Sequence, residues 1–244
     1  MGTVIAITSG KGGTGKTSIT SGVAASLSLM GRSVLCIDMD VGLRNLDISL
    51  GLSDRALMDF SDVALGRCSL ARAATAHPDL PGLALLSAPM TLPASLTSDK
   101  VCALLNEARN SWDYILIDSP AGLGSGVQLA VCGADRAFVI ATNDASSLRD
   151  AQRTASELDH LNTIHLVMNR IQTKLLRKLR TTIDDAMNAA GLPLIGVVPE
   201  DPQVILCANL GRPLTTRGRR GAALACWNIA QRLEGHRVPI MRIR

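Results

Sequence analysis

Short apolar runs rich in β-branched residues alternate along the chain with longer amphipathic stretches. Because the runs are continuously apolar rather than alternating, they are typical of strands that are covered on both faces. The predicted strands are Thr3 to Thr8, Ser33 to Ile37, Leu83 to Ser87, Tyr114 to Ile117, Ala137 to Ala141, His165 to Met168 and Leu194 to Val198.

The stretches between these runs carry apolar residues spaced by three and four, with a polar opposite face, which predicts sheet-packing helices. The three clearest patterns are Val101, Leu104, Leu105 and Ala108; Leu148, Ala151, Ala155 and Leu158; and Leu176, Leu179, Ile183 and Met187. The alternation predicts an α/β fold with a single doubly wound, mostly parallel sheet and helices on both faces.

Composition narrows the function classes. The chain has 244 residues, of which 47% are hydrophobic and only 2% aromatic. Such a chain can bury a sizeable core, but it lacks the aromatic platforms on which nucleic-acid modules stack bases. The six cysteines form no CxxC pair, and no apolar run approaches the roughly 20 residues of a membrane span. We therefore expect a cytoplasmic protein with reduced thiols.

The stretch "SGKGGTGKTS" follows the first predicted strand. Gly10, Gly15, Lys16 and Thr17 fit the phosphate-binding pattern GxxxxGK[ST], in which backbone N–H groups and a helix N-terminus surround phosphates. In this pattern Lys16 reaches the β- and γ-phosphates, and the Thr17 hydroxyl binds Mg²⁺. The sequence therefore predicts a P-loop NTPase that binds a nucleoside triphosphate with Mg²⁺.

Polar residues follow three other predicted strands. Asp118 comes after "YILI", Asp38 and Asp40 follow "SVLCI", and Asn169 ends "HLVM". Alone, each is typical of a helix cap or a turn. Together, at the carboxyl ends of parallel strands, they favour a nucleotide site with carboxylates near the metal and an amide near the adenine.

Several motifs then carry a family resemblance: "SGKGGTGKT", "IDMDVGLRNLD", "IDSPAG", "TNDASSLRDAQR", "MNR" and "VVPEDPQV". In order and spacing they resemble the deviant Walker A ATPases of the MinD/ParA family over roughly residues 2 to 234. "GLRNLD" and "DSPAG" are similar to the MinD branch. The resemblance implies an ATPase that forms a homodimer around two ATP molecules and hydrolyses them slowly until a partner stimulates it.

The resemblance also implies residue roles. Lys11 would reach the phosphates of the other subunit, Asp40 would position the attacking water, and Asn169 would contact adenine. The implied catalytic residues are Lys11, Lys16 and Asp40, and the implied metal residues are Thr17, Asp118 and, through water, Asp38. The implied nucleotide-binding residues are Gly10, Lys11, Gly12, Gly13, Thr14, Gly15, Lys16, Thr17, Ser18, Asn169, Arg170, Pro199 and Glu200.

Two regions bear on partners. We divide the chain into an ATPase domain, 1–236, and a short basic and apolar tail, 237–244, which is too short for a stable isolated helix. The tail is either frayed or in weak contact with an anionic membrane through Arg237, Arg242 and Arg244. Two basic clusters are either solvated faces or a DNA-phosphate patch: Lys174, Arg177, Lys178 and Arg180, and Arg217, Arg219 and Arg220.

Three function classes remain. The first is a MinD-like switch in division-site selection, cytoplasmic or peripheral on the inner membrane face, whose helix Ser146 to Arg153 would bind a MinC-like inhibitor and a MinE-like activator. The second is a ParA-like or flagellar-number positioning ATPase that acts on DNA or at a cell pole. The third is an iron-sulfur carrier ATPase, in which Cys102 and Cys132 would meet across a dimer.

Overall fold

The computed structural model describes residues 1–161 and 163–241, and the strands within them form a single eight-stranded sheet. The strands are β1 (Thr3–Thr8), β2 (Val34–Asp38), β3 (Thr75–Ala76), β4 (Leu83–Leu86), β5 (Tyr114–Asp118), β6 (Arg136–Ala141), β7 (Thr163–Ile171) and β8 (Leu194–Pro199). All seven predicted strands are confirmed.

The strand order β3-β4-β2-β5-β1-β6-β7-β8 places β1 at the centre of the sheet. All neighbouring strands are parallel except β3 and β4. Because the order reverses at β1, the loop that follows β1 opens at the point where such sheets bind ligands. The predicted doubly wound, mostly parallel architecture is confirmed.

Helices cover both faces of the sheet. They are α1 (Lys16–Leu29), α2 (Leu46–Leu50), α3 (Phe60–Ala64), α4 (Leu70–Ala73), α5 (Ser98–Ala108), α6 (Ser125–Val131), α7 (Ala145–Glu157), α8 (Thr173–Leu179), α9 (Ile183–Ala190), α10 (Pro202–Asn209) and α11 (Gly221–Leu233), with a 3₁₀ turn at Leu214–Arg217. Successive residues of β1 enter opposite cores: Ile5 packs with α1 and α11, and Val4 with α5. Strands buried on both faces explain the continuously apolar runs.

Two details differ from the sequence interpretation. The helical pattern from Leu176 to Met187 is broken into α8 and α9, because Arg180 has a left-handed backbone (φ 53°) and Thr182 starts a new helix. Thr182 and Asp185 form a capping box, which satisfies the first N–H groups of α9. The two-residue β3, antiparallel to β4, was not predicted.

The end of the described chain lies against the core. The Arg232 guanidinium donates to the carbonyls of Val238 (3.0 Å) and Pro239 (2.9 Å), and Met241 packs against buried residues. The frayed-tail alternative is therefore wrong for residues 238–241. Arg242 and Arg244 lie outside the described residues, and no described helix is long and apolar enough to cross a membrane.

Candidate nucleotide-binding site

The predicted phosphate-binding loop, called the phosphate loop below, joins β1 to α1, which begins at Lys16. Gly13 (φ 76°) and Gly15 (φ 97°) adopt left-handed backbone that favours glycine. At Gly15 the surroundings also matter, because a Cβ there would lie 2.3 Å from Nδ2 of Asn169. Gly10 fits closely against α7, where a Cβ would lie 2.7 Å from Cβ of Asp150. The glycines thus set both the turn and its packing.

Lys16 lies at the centre of the loop with only 8% of its surface exposed. Its ammonium donates to Oγ of Ser9 (3.1 Å), and that hydroxyl donates to the Lys11 carbonyl (2.7 Å). Burial lowers the pKa of Lys16, while the carboxylates of Asp118 and Asp40 act in the opposite direction. A buried cation beside backbone N–H groups suits a phosphate chain.

Two buried carboxylates lie beside this loop. Asp38 and Asp118 are paired across β2 and β5, and each is 1% exposed. Burial raises the pKa of Asp118 to about 7, against a hydrogen bond from Thr17 that lowers it. Burial likewise raises the pKa of Asp38 to about 6. Because burial makes these carboxylates costly to ionise without a nearby positive charge, and because Mg²⁺ prefers oxygen ligands, the pair fits a Mg²⁺ ion bound close by.

Asp38 also shapes the loop that follows β2. Its carboxylate accepts hydrogen bonds from the backbone N–H groups of Asp40 (2.9 Å) and Leu46 (3.2 Å). The Arg44 guanidinium donates to Oγ of Ser87 at 2.9 Å, which fixes the same loop to the end of β4. Asp40 is half-buried, and burial raises its pKa while Lys16 lowers it. Asp40 therefore lies near the Lys16 ammonium.

A cavity of about 240 Å³ opens beside Gly15 and Ser18 and is lined further by Asn169, Pro199 and Glu200. Its size lies just below the usual range for small-molecule sites, about 300 Å³ and above, and suits one flat base rather than a whole nucleotide. Nδ2 of Asn169 donates to the Thr14 carbonyl at 2.7 Å, so Asn169 joins the cavity to the phosphate loop.

Arg170 and Glu200, which also belong to the predicted nucleotide-binding residues, lie close to the same loop and strand ends. Arg170, with left-handed backbone (φ 55°), donates from Nη1 to the Gly13 carbonyl at 3.1 Å. The Glu200 N–H donates to the Ile171 carbonyl at 3.1 Å, which holds the segment after β8 beside β7. The structure thus brings the predicted residues of the loop and of four strand ends into one region.

Lys11 is directed at α7. Its ammonium donates to Oγ of Ser146 (2.9 Å) and pairs with Asp144 (3.4 Å), and the Lys11 side chain is 47% exposed. Asp144 is the N-cap of α7 and accepts from the Ser147 N–H. Because four hydrogen bonds to its carboxylate outweigh the cost of burial, the pKa of Asp144 lies well below its usual range.

Sequence reasoning missed three polar residues of the site. Ser9 accepts from Lys16, Thr20 donates to Asp118 (3.4 Å), and Asp144 holds Lys11. For Asp144 a local signal existed, since Asp directly before a helical pattern is a common N-cap. Ser9 and Thr20 lie just outside the predicted loop residues 10–18, and neither residue gives a sequence signal of its own.

The iron-sulfur alternative required Cys102 and Cys132 to meet across a dimer. The structure instead places their sulfurs 3.2 Å apart within one chain, so that expectation is wrong. Residues 1–161 and 163–241 contain no group of three or more His, Cys, Asp or Glu placed to hold a metal by themselves.

Comparison with known proteins identifies the family. The model for the CobQ/CobB/MinD/ParA nucleotide binding domain matches residues 5–214. The chain belongs to this family. Septum site-determining protein MinD of Bacillus subtilis (strain 168) is 37% identical to this family member, over 98% of this chain and 92% of that protein.

Two solved structures are similar over nearly the whole fold. The MinC:MinD cell division protein complex of Aquifex aeolicus superposes with a TM-score of 0.90 at 34% identity, covering 98% of each chain. MinD of Pyrococcus horikoshii OT3 complexed with Mg-ADP gives a TM-score of 0.84 at 27% identity, covering 96% of each chain. The chain is therefore a MinD-type member of this nucleotide-binding ATPase family.

Proposed function

We propose that this chain is a Mg²⁺-dependent ATPase that forms a homodimer around two ATP molecules and acts as a spatial switch in division-site selection. Hydrolysis of ATP to ADP and phosphate would reset the switch. The MinD relatives named septum site-determining proteins support this role. The observation that carries the chemistry is the buried Lys16 ammonium flanked by Asp40 and Asp118.

ATP binding would use both the phosphate loop and the cavity beside Asn169. The phosphates would lie against the N–H groups of the loop and the ammonium of Lys16, and the base would occupy the cavity beside Asn169. Thr17 and Asp118, with Asp38 through water, would hold Mg²⁺, which neutralises phosphate charge as the γ-phosphate leaves. The raised pKa of Asp118 supports this placement, because a bound cation would offset the cost of burying its charge.

Asp40 would orient the attacking water. It is half-buried beside Lys16, at the start of a loop held by Asp38 and Arg44. A carboxylate on a backbone held in this way would keep one water in line with the γ-phosphate.

Lys11 would act on the phosphates of the second subunit. Its ion pair with Asp144 is nearly half exposed, and such a pair stabilises by only about 0–1 kcal/mol. The lysine can therefore leave α7 at little cost when a second nucleotide approaches. This explains why the loop carries a lysine that its own phosphates do not require.

Partner binding is proposed on α7. Within Ser146 to Arg153 the outward face exposes Ser146, Arg149, Gln152 and Arg153, while Ser147 and Ala151 are buried. The similar Aquifex structure is a MinC:MinD complex, which supports a MinC-like partner for this chain. A MinE-like activator on the same helix would lie next to the phosphate loop, because Gly10 packs against Asp150.

The ATPase proposal is tested with Asp40→Asn and the control Asp47→Asn, a second carboxylate close by in the first turn of α2. Asp40→Asn should bind Mg-ATP and dimerise but lose phosphate release, since its neutral side chain no longer positions the water. Asp47→Asn should keep the parent rate. Equal turnover by the two variants would move the catalytic role away from Asp40.

A membrane contact of the tail would compete with the Arg232 contacts. We propose that the ATP dimer binds anionic vesicles weakly, since residues 238–241 must first leave the core. Arg232→Gln, which frees the tail, should increase ATP-dependent sedimentation with phosphatidylglycerol vesicles relative to the parent. If neither protein sediments with ATP, anchoring by the tail is wrong.

DNA binding remains the second candidate. Helix α8 has no buried residue and exposes Lys174, Arg177 and Lys178, with Arg180 after it. The other cluster is partly engaged, because the Arg219 guanidinium stacks 3.4 Å from the Trp227 ring centroid. A steep loss of DNA binding with salt, removed by Lys174→Gln and Lys178→Gln together, would favour the DNA role.

A further inference from the structure

Two half-exposed cysteines face each other on the side of the sheet away from α1. Cys102 lies on α5, and Cys132 directly follows the last residue of α6. Their sulfur atoms are 3.2 Å apart, so a disulfide bond of about 2.05 Å would require them to approach by only about 1 Å. None of the site residues described above uses either thiol.

The packing between α5 and α6 permits this approach. A Cβ at Gly133 would lie 2.8 Å from Cδ1 of Leu105 and 3.6 Å from Sγ of Cys102. Glycine at this position therefore lets the end of α6 lie directly on α5. The Cys132 sulfur also lies 3.6 Å from the Ser98 carbonyl, which keeps its side chain turned toward α5.

The two thiols are not equivalent. Burial, and then the contact with Cys102, raises the pKa of Cys132 to about 12, so Cys132 keeps its proton at neutral pH. A thiolate, not a thiol, attacks oxidants. Because the Cys132 thiol is also directed at the Ser98 carbonyl, which holds its proton, we assign the first attack to Cys102 and the resolving step to Cys132.

We propose that Cys102 and Cys132 form a reversible intrachain disulfide on oxidation by peroxide. The Cys102 thiolate attacks one peroxide oxygen, the O–O bond breaks, and Cys102 becomes a sulfenic acid, while the departing hydroxide takes a proton from solvent to form water. The Cys132 sulfur then attacks the Cys102 sulfur. The S–S bond forms, the S–O bond breaks, and the departing hydroxide takes the Cys132 proton as a second water.

The disulfide would fix the C-terminal end of α6. The N-terminal end of this helix follows Asp118, the carboxylate proposed to lie beside Mg²⁺. Helix α6 starts seven residues after Asp118, and the loop between them is tied to the phosphate loop by the Gly122 N–H, which donates to the Ser9 carbonyl (3.0 Å). Joining Cys132 to α5 would limit how far α6 follows nucleotide-driven changes in this loop. This regulatory step rests on the proposed ATPase function.

The disulfide is tested on the purified full chain without nucleotide, treated with hydrogen peroxide, alkylated and digested with trypsin. Cleavage after Lys100, Arg109 and Arg136 puts the two cysteines in adjacent peptides, 101–109 and 110–136. We expect these peptides to be linked, and dithiothreitol to separate them. Cys102→Ser and Cys132→Ser should each lose the link, and Cys68→Ser, the other half-exposed cysteine, should keep it.

Separate peptides carrying sulfinic acid, or a link between two chains, would overturn the proposal. The regulatory step is tested by hydrogen exchange of residues 119–131, which ATP should slow in the reduced protein but not in the oxidised protein. Equal slowing in both forms would refute the restraint on α6. If ATP changes exchange in neither form, the proposed function fails while the peptide result stands.

Discussion

Gly15→Ala tests how the phosphate loop and the base cavity are joined. Gly15 has left-handed backbone (φ 97°), and an added Cβ would lie 2.3 Å from Nδ2 of Asn169. Asn169 is 5% exposed and donates to the Thr14 carbonyl, so it cannot move without losing that bond. The substitution should therefore damage both the loop and the cavity.

The expected cost has two parts. Left-handed backbone costs a non-glycine residue about 1–2 kcal/mol. Breaking the buried Asn169 hydrogen bond costs about 1–3 kcal/mol more. Gly13→Ala is the matched control, because Gly13 is also left-handed (φ 76°) but nothing lies within 4 Å of its added Cβ. Gly13→Ala should therefore be destabilised only by the cost of the left-handed backbone.

Chemical denaturation of the nucleotide-free variants measures these costs, and titration with a fluorescent ATP analogue measures the loss of binding. Because Asn169→Ala removes the group that the new Cβ meets, the double variant should be less destabilised than the sum of the single variants, by about 1–3 kcal/mol. The reasoning is refuted if Gly15→Ala costs no more than Gly13→Ala, or if the two sites are additive.

Three further substitutions test the charges of the site. Since burial raises the pKa of Asp118 to about 7 from an unfolded value near 4, the stability it gives below about pH 4 is lost as the pH rises through 7. In EDTA, Asp118→Asn should therefore nearly match the parent in urea denaturation at pH 4 and below but exceed it at pH 8 by up to about 4 kcal/mol, at ~1.4 kcal/mol per pKa unit; a pH-independent difference would contradict this. Lys16→Ala should abolish Mg-ATP binding in calorimetry, and tight binding by this variant would remove the site assignment. Lys11→Ala should bind ATP but dimerise weakly in light scattering, since only the contact with the other subunit is lost; a full-strength dimer would refute that role.

Strand positions could be predicted because each strand is buried on both faces and so shows an unbroken apolar run, as "TVIAIT" does for β1. The boundary between α8 and α9 could not, because apolar spacing continues from Leu179 to Ile183 across it. The break depends on the left-handed backbone of Arg180 and on the Thr182 cap. The two-residue β3 is too short to show a hydrophobic pattern from which a strand could be predicted.

The placement of Lys16 and Asp118 beside each other could be predicted, because a motif fixes both the residue type and the position. Contacts could not be predicted where one partner is distant in sequence and ordinary in type. The contact of Lys11 with Ser146 spans 135 positions, and that of Asn169 with the Thr14 carbonyl spans 155. Serine hydroxyls and backbone carbonyls occur everywhere along a chain, so only the fold selects these.

The phosphate loop, which joins β1 to α1, is also held in place by contacts with β7 and α7. Asn169 and Arg170, at the end of β7, donate to the Thr14 and Gly13 carbonyls, and Gly10 packs against Asp150 of α7. A shift of α7 therefore reaches the loop through direct contact, with no intervening layer of side chains. We infer that a partner bound to the exposed face of α7 need not touch the nucleotide, because moving the first two turns of that helix changes both the packing of Asp150 against Gly10 and the contact of Ser146 with Lys11.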